Sequence, residues 1–319
     1  MRKLTVTLAL VLLALAQPSL AQRYPDKPIR LVVPFGPGGS ADAIARPIAE
    51  RLGAALGQSI VVDNRPGGLT VIAADLVAKS APDGYTLYLM PGTHVLTPLM
   101  VSKVPYDPIA DFSPVAMIGA QPYFVVANVD QPYKTFAEMI AYAKANPEKI
   151  SMGVSDAVTR VVATALEATA NVKFTIVPYK GGGPQNTDLL GNQIATAVAT
   201  PNMMGFVNQG KVRAIVMSTP KRAPFLPQTP TVQEAVPGAN FDVTTWYAIA
   251  GPAKLPKPIV DQLHTAMRKV MAEPDVRKKL DDLGVVTPAD VSPEATAATM
   301  KDYQTRMTKL VEAAGITPE

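Results

Sequence analysis

The chain has no cysteine among its 319 residues and only two histidines, His94 and His264. The first absence excludes disulfides, thiolate nucleophiles, thiolate metal sites and a cysteine-borne lipid anchor. The second leaves metal catalysis without a ligand cluster to start from, so no metal or cofactor is expected. Basic runs and aromatic–basic clusters are missing too, so the pI of 9.1 carries no nucleic-acid footprint. Long apolar runs are also lacking. The stretch Val6 to Ala16 is cut by Gln17, Pro18 and Ser19, well short of the roughly 20 apolar residues that span a bilayer.

That short run follows Arg2 and Lys3 and precedes Ser19-Leu20-Ala21, where small residues stand at the two positions a signal peptidase reads. The segment reads as an export signal, residues 1–21, cleaved near Ala21, with a periplasmic destination. Setting aside Arg2 and Lys3 takes the 30 basic side chains to 28 against 26 acidic ones, a nearly balanced chain. About 298 residues remain (319 less 21), more than one domain usually holds, so two domains are expected. With 48% hydrophobic residues the sequence is far from the disordered regime.

Short β-rich runs alternate with helical patterns, the grammar of parallel α/β sheets. Ile29 to Pro34, Ser59 to Asp63 and Thr86 to Met90 read as strands, with helices over Ser40 to Leu56 and Leu69 to Ser80. The first helix carries Ile44, Ile48, Leu52 and Leu56 as an apolar stripe, and Pro47 within it predicts a kink or a late start. A second block supplies strands at Tyr123–Ala127, Ile150–Gly153, Phe174–Pro178, Ile194–Val198 and Val212–Ser218, with helices at Thr135–Asn146, Ala157–Ala170 and Pro184–Leu190. Pro220 to Gly238, with five prolines, reads as a surface excursion. The strand Val243–Ala250 and two long helices, Lys257–Ala272 and Pro293–Ala314, close the chain. This order predicts that the chain leaves the first domain near residue 122 and returns near 243, so domain 1 comprises 22–122 with 243–319 and domain 2 comprises 123–242. Two crossings make a hinge.

Two turns carry the chemistry. In VVPFGPGGSADAIAR, Gly36, Gly38 and Ala41 satisfy the spacing of dinucleotide-binding turns, with Asp63 standing near the ribose-binding position. Against that reading, Pro37 stiffens the turn and an exported protein meets little nicotinamide cofactor. Whatever the ligand, a glycine-rich turn feeding a helix offers unpaired N–H groups and a positive dipole end, which suit an anion such as a carboxylate. The bland alternative is a tight turn with Ser40 or Asp42 as cap. The second turn, GVSDAVTR, is one residue short of a nucleophile elbow, with His264 downstream in hydrolase order. It leaves open an exported serine hydrolase with Ser155 as nucleophile. Otherwise Ser155, Asp156 and Thr159 cap a helix or face a ligand at its N-terminus.

Taken in order, RYPDKPIRLVVPFGPGGSADAIAR, LGQSIVVDNRPGG, APDGYTLYL, VPYDPIADFSPVAMIG, VPYKGGGPQNTDLLG and TPTVQEA closely resemble the substrate-binding proteins of tripartite tricarboxylate transporters, the Bug family. The resemblance implies an α/β, type II periplasmic binding protein: a Venus-flytrap of two domains on a two-crossing hinge, monomeric and non-enzymatic. It implies a small carboxylated solute as ligand and membrane permease subunits as partners, with no nucleic acid. Its site residues map onto Phe35, Gly38, Gly39, Ser40 and Asp42 of the first loop, Thr93 in the turn after YTLYLM, and Asn202 in TPNMM. Tyr179 and Gly181 belong to the VPYKG segment, where the tyrosine either packs beneath the cleft or contacts the ligand. The clearest departure is at Ser155-Asp156-Ala157-Val158-Thr159-Arg160, where Asp156 stands for the family's usual serine and Thr159 for its histidine. An acid near a carboxylate repels it unless a cation intervenes, from the ligand or from Arg160.

Overall fold

A computed structural model describes residues 24–313 apart from 240, together with 315, 316 and 318. The expected export signal lies outside the described residues. In chain order the elements are β1 (Ile29–Val33), α1 (Ser40–Leu56), β2 (Ile60–Asn64), α2 (Val71–Ala78), β3 (Thr86–Pro91), α3 (Thr93–Met100), β4 (Phe112–Pro122) and β5 (Phe124–Asn128). They continue with α4 (Phe136–Ala145), β6 (Ser151–Val154), α5 (Ala157–Ala170), β7 (Thr175–Pro178), α6 (Gly182–Leu190), β8 (Thr196–Ala199), α7 (Met204–Asn208) and β9 (Val212–Met217). The last are α8 (Val232–Ala235), β10 (Thr244–Pro252), α9 (Lys257–Ala272), α10 (Pro274–Asp282) and α11 (Pro293–Ala313).

The strands form two five-stranded sheets, β2-β1-β3-β10-β4 and β7-β6-β8-β5-β9. Both are mixed rather than wholly parallel, which corrects the expectation. In the first, β1 runs parallel to β2 and β3, while β10 runs antiparallel to β3 and β4. In the second, β6 runs parallel to β7 and β8, while β5 runs antiparallel to β8 and β9. The reversed strands are the ones reached by crossing between sheets: β4 hands over to β5 at Tyr123, and β9 returns to β10 through the proline-rich excursion. A strand that arrives from the opposite sheet enters at the far end, so its reversed direction follows from the crossing.

Each sheet is covered on both faces. Leu31 and Val33 of β1 share one core with the α1 stripe Ile44, Ile48 and Leu52 and with Leu263, Met267 and Val270 of α9. Val32 points to the other face, into a core that continues across the hinge through Tyr123, Val243, Trp246 and Tyr303 to Val158, Val161 and Val162 of α5. α1 begins at Ser40, with the Ala43 amide already bonded to the Gly39 carbonyl at 3.0 Å. The late start considered for Pro47 is therefore corrected: the proline sits within a continuous helix and leaves only the Ala43 carbonyl without its partner.

Two departures from the expected elements have identifiable reasons. β4 contains Pro114, Gly119 and Pro122, which read as breakers, yet it is an edge strand whose pairing with β10 is interrupted by two register shifts, and edges tolerate proline. The strained run after β2 is the other. Leu69 and Thr70 both take positive φ, 48° and 85°, so the helix anticipated from Leu69 starts in earnest only at Val71.

Ile48 is fully buried between α1 and the first sheet. Ile48→Ala is expected to lower the unfolding free energy by about 2–5 kcal/mol. Denaturant titration checks this through a lower midpoint at unchanged slope.

Candidate functional site

The C-terminal ends of the parallel strands in both sheets point toward each other, the position at which open α/β sheets collect ligands. β1 delivers Phe35 to Ser40, β3 delivers Thr93, β6 delivers Ser155 and Asp156, β7 delivers Tyr179 to Gly182, and β8 delivers Thr200 and Asn202. Phe35, Gly39, Ser40, Ala41, Ser155, Asp156, Gly182, Thr200 and Tyr247 enclose a cavity of about 30 Å³. That is room for a water or two, so the lobes are shut. A crevice of about 330 Å³ shares Phe35 and Ser155 with the cavity and extends along Gly67 to Thr70, Tyr179 and Lys180.

Backbone meets backbone across the cleft. The Gly36 amide donates to the Lys180 carbonyl at 3.3 Å. A Cβ on Gly39 would lie 3.3 Å from the Gly182 nitrogen, and one on Gly183 only 2.2 Å from the Pro37 carbonyl oxygen. Gly39 and Gly181 occupy the N-cap positions of α1 and α6 with no side-chain cap. Their first-turn amides are thus left for whatever fills the cleft.

Asp42 braces the first loop and does not line the cavity. Its Oδ2 accepts from the Gly38 amide at 3.2 Å and from Arg46 Nε at 2.9 Å; its Oδ1 accepts from Arg46 at 2.9 Å and Asn64 at 3.1 Å. Burial works against its charge, yet Arg46, the Gly38 amide and Asn64 hold the carboxyl below its ordinary range. Gly38 itself takes φ 81°, a conformation that favours a residue without Cβ. Ser40 donates to Gln121 Oε1 at 2.8 Å, fixing α1 to the end of β4.

The second turn is a capping box. Asp156 Oδ1 accepts the Thr159 amide at 2.8 Å, while Thr159 Oγ1 accepts the Ser155 and Asp156 amides, both at 2.9 Å. Thr159 is thereby consumed by the helix start. Asp156 Oδ2 faces the Tyr123 hydroxyl at 3.5 Å. Burial pushes its carboxyl above the ordinary range, against the lowering effect of Thr159, the Val158 amide and Thr93. Thr93 is the first residue of α3 rather than part of a turn, a correction to the expectation, and its buried hydroxyl lies near the Asp156 carboxyl without a hydrogen bond of ordinary geometry. Tyr179 lines the crevice, its hydroxyl donating to Asp188 at 2.7 Å. Asn202 stands outside the cavity and accepts from the Thr200 hydroxyl at 2.7 Å.

Sequence reasoning missed Gly182, which follows the VPYKG segment, as well as Thr200 and Tyr247. Thr200 directly precedes the TPNMM asparagine that was singled out. Tyr247 sits inside β10 with nothing local to mark it. The two alternative chemistries find no assembly: Ser155 has neither histidine beside it, since His94 is buried against Tyr106 and bonded to the Pro108 carbonyl, and His264 bonds the Val115 carbonyl under α9. Asp63 is tied up by Arg30 and Arg65.

Two α/β lobes joined by two crossings, shut over a small cavity, define the two-lobed fold of periplasmic binding proteins. The sequence profile of the "Tripartite tricarboxylate transporter family receptor" family matches residues 44–316, and the chain belongs to that family. It is 34% identical over 291 residues to a protein encoded in the tcbD-tcbE intergenic region of Pseudomonas sp. strain P51, covering 90% of this chain and 86% of that one. It is 30% identical to BugT of Bordetella pertussis, covering 94% and 93%. Among solved structures, the periplasmic binding protein BugD superposes with TM-score 0.89 at 31% identity, covering 93% of this chain and all of that one. R. palustris Rpa4515, solved with adipate, gives 0.88 at 32%, covering 93% and 100%. MatC from Rhodopseudomonas palustris, solved with bound malate, gives 0.84 at 31%, covering 90% and 100%.

Because the Gly183 Cβ position collides with fixed backbone, Gly183→Val is expected to keep the fold but hold the lobes apart. Small-angle scattering checks this: the variant's radius of gyration should exceed that of the wild type in matched buffer. Equal radii would mean that the two loops do not meet in solution.

Proposed function

We propose that this chain is a periplasmic solute-binding protein that captures a small carboxylate and presents it to the membrane permease subunits of a tripartite tricarboxylate-type transporter. The observation that carries the reading is the convergence of uncapped, glycine-lined helix starts from both lobes on one closed cavity. Such a cavity can cradle an anion with backbone amides and no metal. The carboxylates bound by the related R. palustris proteins support the same class. In this reading the export signal is removed near Ala21, and the mature protein acts as a monomer without catalysis or cofactor. Residues 22–122 with 243–319 move against 123–242. Phe35, Gly38, Gly39, Ser40, Thr93, Ser155, Asp156, Tyr179 and Asn202 contact or frame the solute, with Asp42 and Thr159 holding the two loops in shape.

The lobes must open to admit a solute, since the closed cavity is smaller than any dicarboxylate. Binding therefore selects a partly closed form, with the lobes somewhat further apart than here, through contacts made to both at once. Mass spectrometry of solute carried through purification, followed by a thermal-shift panel of carboxylates, tests the proposal. A true ligand at about a hundredfold excess over Kd should stabilise the protein by about 2.7 kcal/mol and reduce its radius of gyration. A panel with no shift, and no carboxylate recovered, would overturn it.

A further inference from the structure

We propose that the solute carries an ammonium group beside its carboxylate, and that Asp156 is the residue that selects it. The inference rests on the solute-binding reading above and narrows it to amino carboxylates.

Among the residues lining the closed cavity, Asp156 is the only carboxylate, and no lysine, arginine or histidine joins it. Its two oxygens are unequally used. Oδ1 is spent on the Thr159 amide at 2.8 Å, whereas Oδ2 meets the Tyr123 hydroxyl at 3.5 Å, beyond the ordinary length of an O–H···O bond, with the Val158 amide and the Thr93 hydroxyl also near the carboxyl. The groups that face it from the other elements are Tyr123 at the crossing, Thr93 from α3, Tyr247 from β10 and Tyr303 from α11. The three phenols are buried and neutral, and the Tyr303 hydroxyl is already donated to the Thr244 carbonyl at 2.6 Å. Arg306 lies beyond Tyr303, over its ring. Arg160 lies one turn further along α5, outside the cavity lining.

Closure thus places an under-bonded acid in a small cavity whose remaining polar groups favour an anion. A second bare anion there would be repelled at close range in a poorly hydrated space. A ligand that brings its own cation removes the conflict: its carboxylate takes the backbone amides of the α1 and α6 starts, and its ammonium donates to Asp156 Oδ2. The competing outcome is that Asp156 protonates and donates to a ligand carboxylate, which predicts the opposite selectivity and the opposite pH dependence.

Calorimetry with length-matched pairs separates the two: succinate against aspartate, glutarate against glutamate, adipate against 2-aminoadipate. The protein is stripped of carried solute, as wild type, Asp156→Asn and Asp156→Ser. Both replacements can cap α5, and thermal melting verifies that each is folded. In at least one pair the wild type is expected to prefer the amino member by about 10- to 150-fold, the factor that a hydrogen bond to a charged group commands. Both variants should lose that preference while binding the plain dicarboxylate as well or better. With Asp156 ionised, the amino member should bind more weakly in mildly acidic buffer than near neutral pH.

Preference for the plain dicarboxylate in every pair, an amino preference unchanged in both variants, or a recovered solute without an amine each overturns this inference alone. Binding to none of these acids, with no carboxylate recovered from the purified protein, overturns the solute-binding reading and this inference with it. Binding to none of them with a recovered amino carboxylate supports it, provided both variants lose affinity for that compound.

Discussion

The close approach of two side-chain-free backbone segments, Gly36 to Gly39 in one lobe and Lys180 to Gly183 in the other, is the contact on which the rest of the architecture depends. A carbonyl at Pro37 sits where a Gly183 Cβ would be, and the Gly36 amide reaches the Lys180 carbonyl directly. Such contact brings helix starts from opposite sheets to within a few ångströms of a common point. Any side chain inserted there would separate the amides from the space they are meant to fill. Glycine costs conformational entropy in both loops, and the Asp42–Arg46–Asn64 bracing offsets that cost by fixing the first loop through bonds to its own helix and to the end of β2.

The hinge is built to keep this contact in register. Where the chain crosses between sheets, the Ser218 hydroxyl lies 2.9 Å from the Tyr123 carbonyl and 2.6 Å from the Val243 carbonyl, and the Val243 amide returns to the Ser218 carbonyl at 2.9 Å. The two crossings are thus bound to each other. A pair of coupled strands resists shear and twist better than bending, so in the proposed opening the lobes swing along one path. The same neighbourhood carries the apolar core from one lobe to the other through Tyr123, Trp246 and Tyr303, which puts the pivot in dry, well-packed surroundings rather than in a solvated linker.

Much of this was legible in one dimension. The strand–turn–helix units around α1 and α5 could be read because apolar periodicity, cap chemistry and glycine placement all agree there, and α1, α5 and α9 keep the bounds their patterns imply. What resisted reading were features defined by partners far away in sequence. β4 looks broken by its prolines because nothing local says it is an edge. The reversed direction of β5 and β10 follows from the crossing, not from their composition. Thr93 falls one step past a strand and seemed a turn residue, although burial against α5 recruits it into a helix. Tyr247 enters the cavity only because β10 crosses back between β3 and β4.

A site made from helix starts has a consequence for selectivity. Backbone amides recognise negative charge and little else about the molecule carrying it, so a frame of the kind proposed suits carboxylates of many shapes. Discrimination then falls to the few side chains that reach the cavity. Phe35 and Tyr247 set its walls, Ser40 and Thr200 are partly committed to Gln121 and Asn202, and Ser155 and Asp156 remain. Of these, only Asp156 can change the sign of the local field. In the proposed frame for anions, one acid at the mouth of a capped helix would be the smallest alteration that turns a general carboxylate clamp into one that also reads the charge beside the carboxylate.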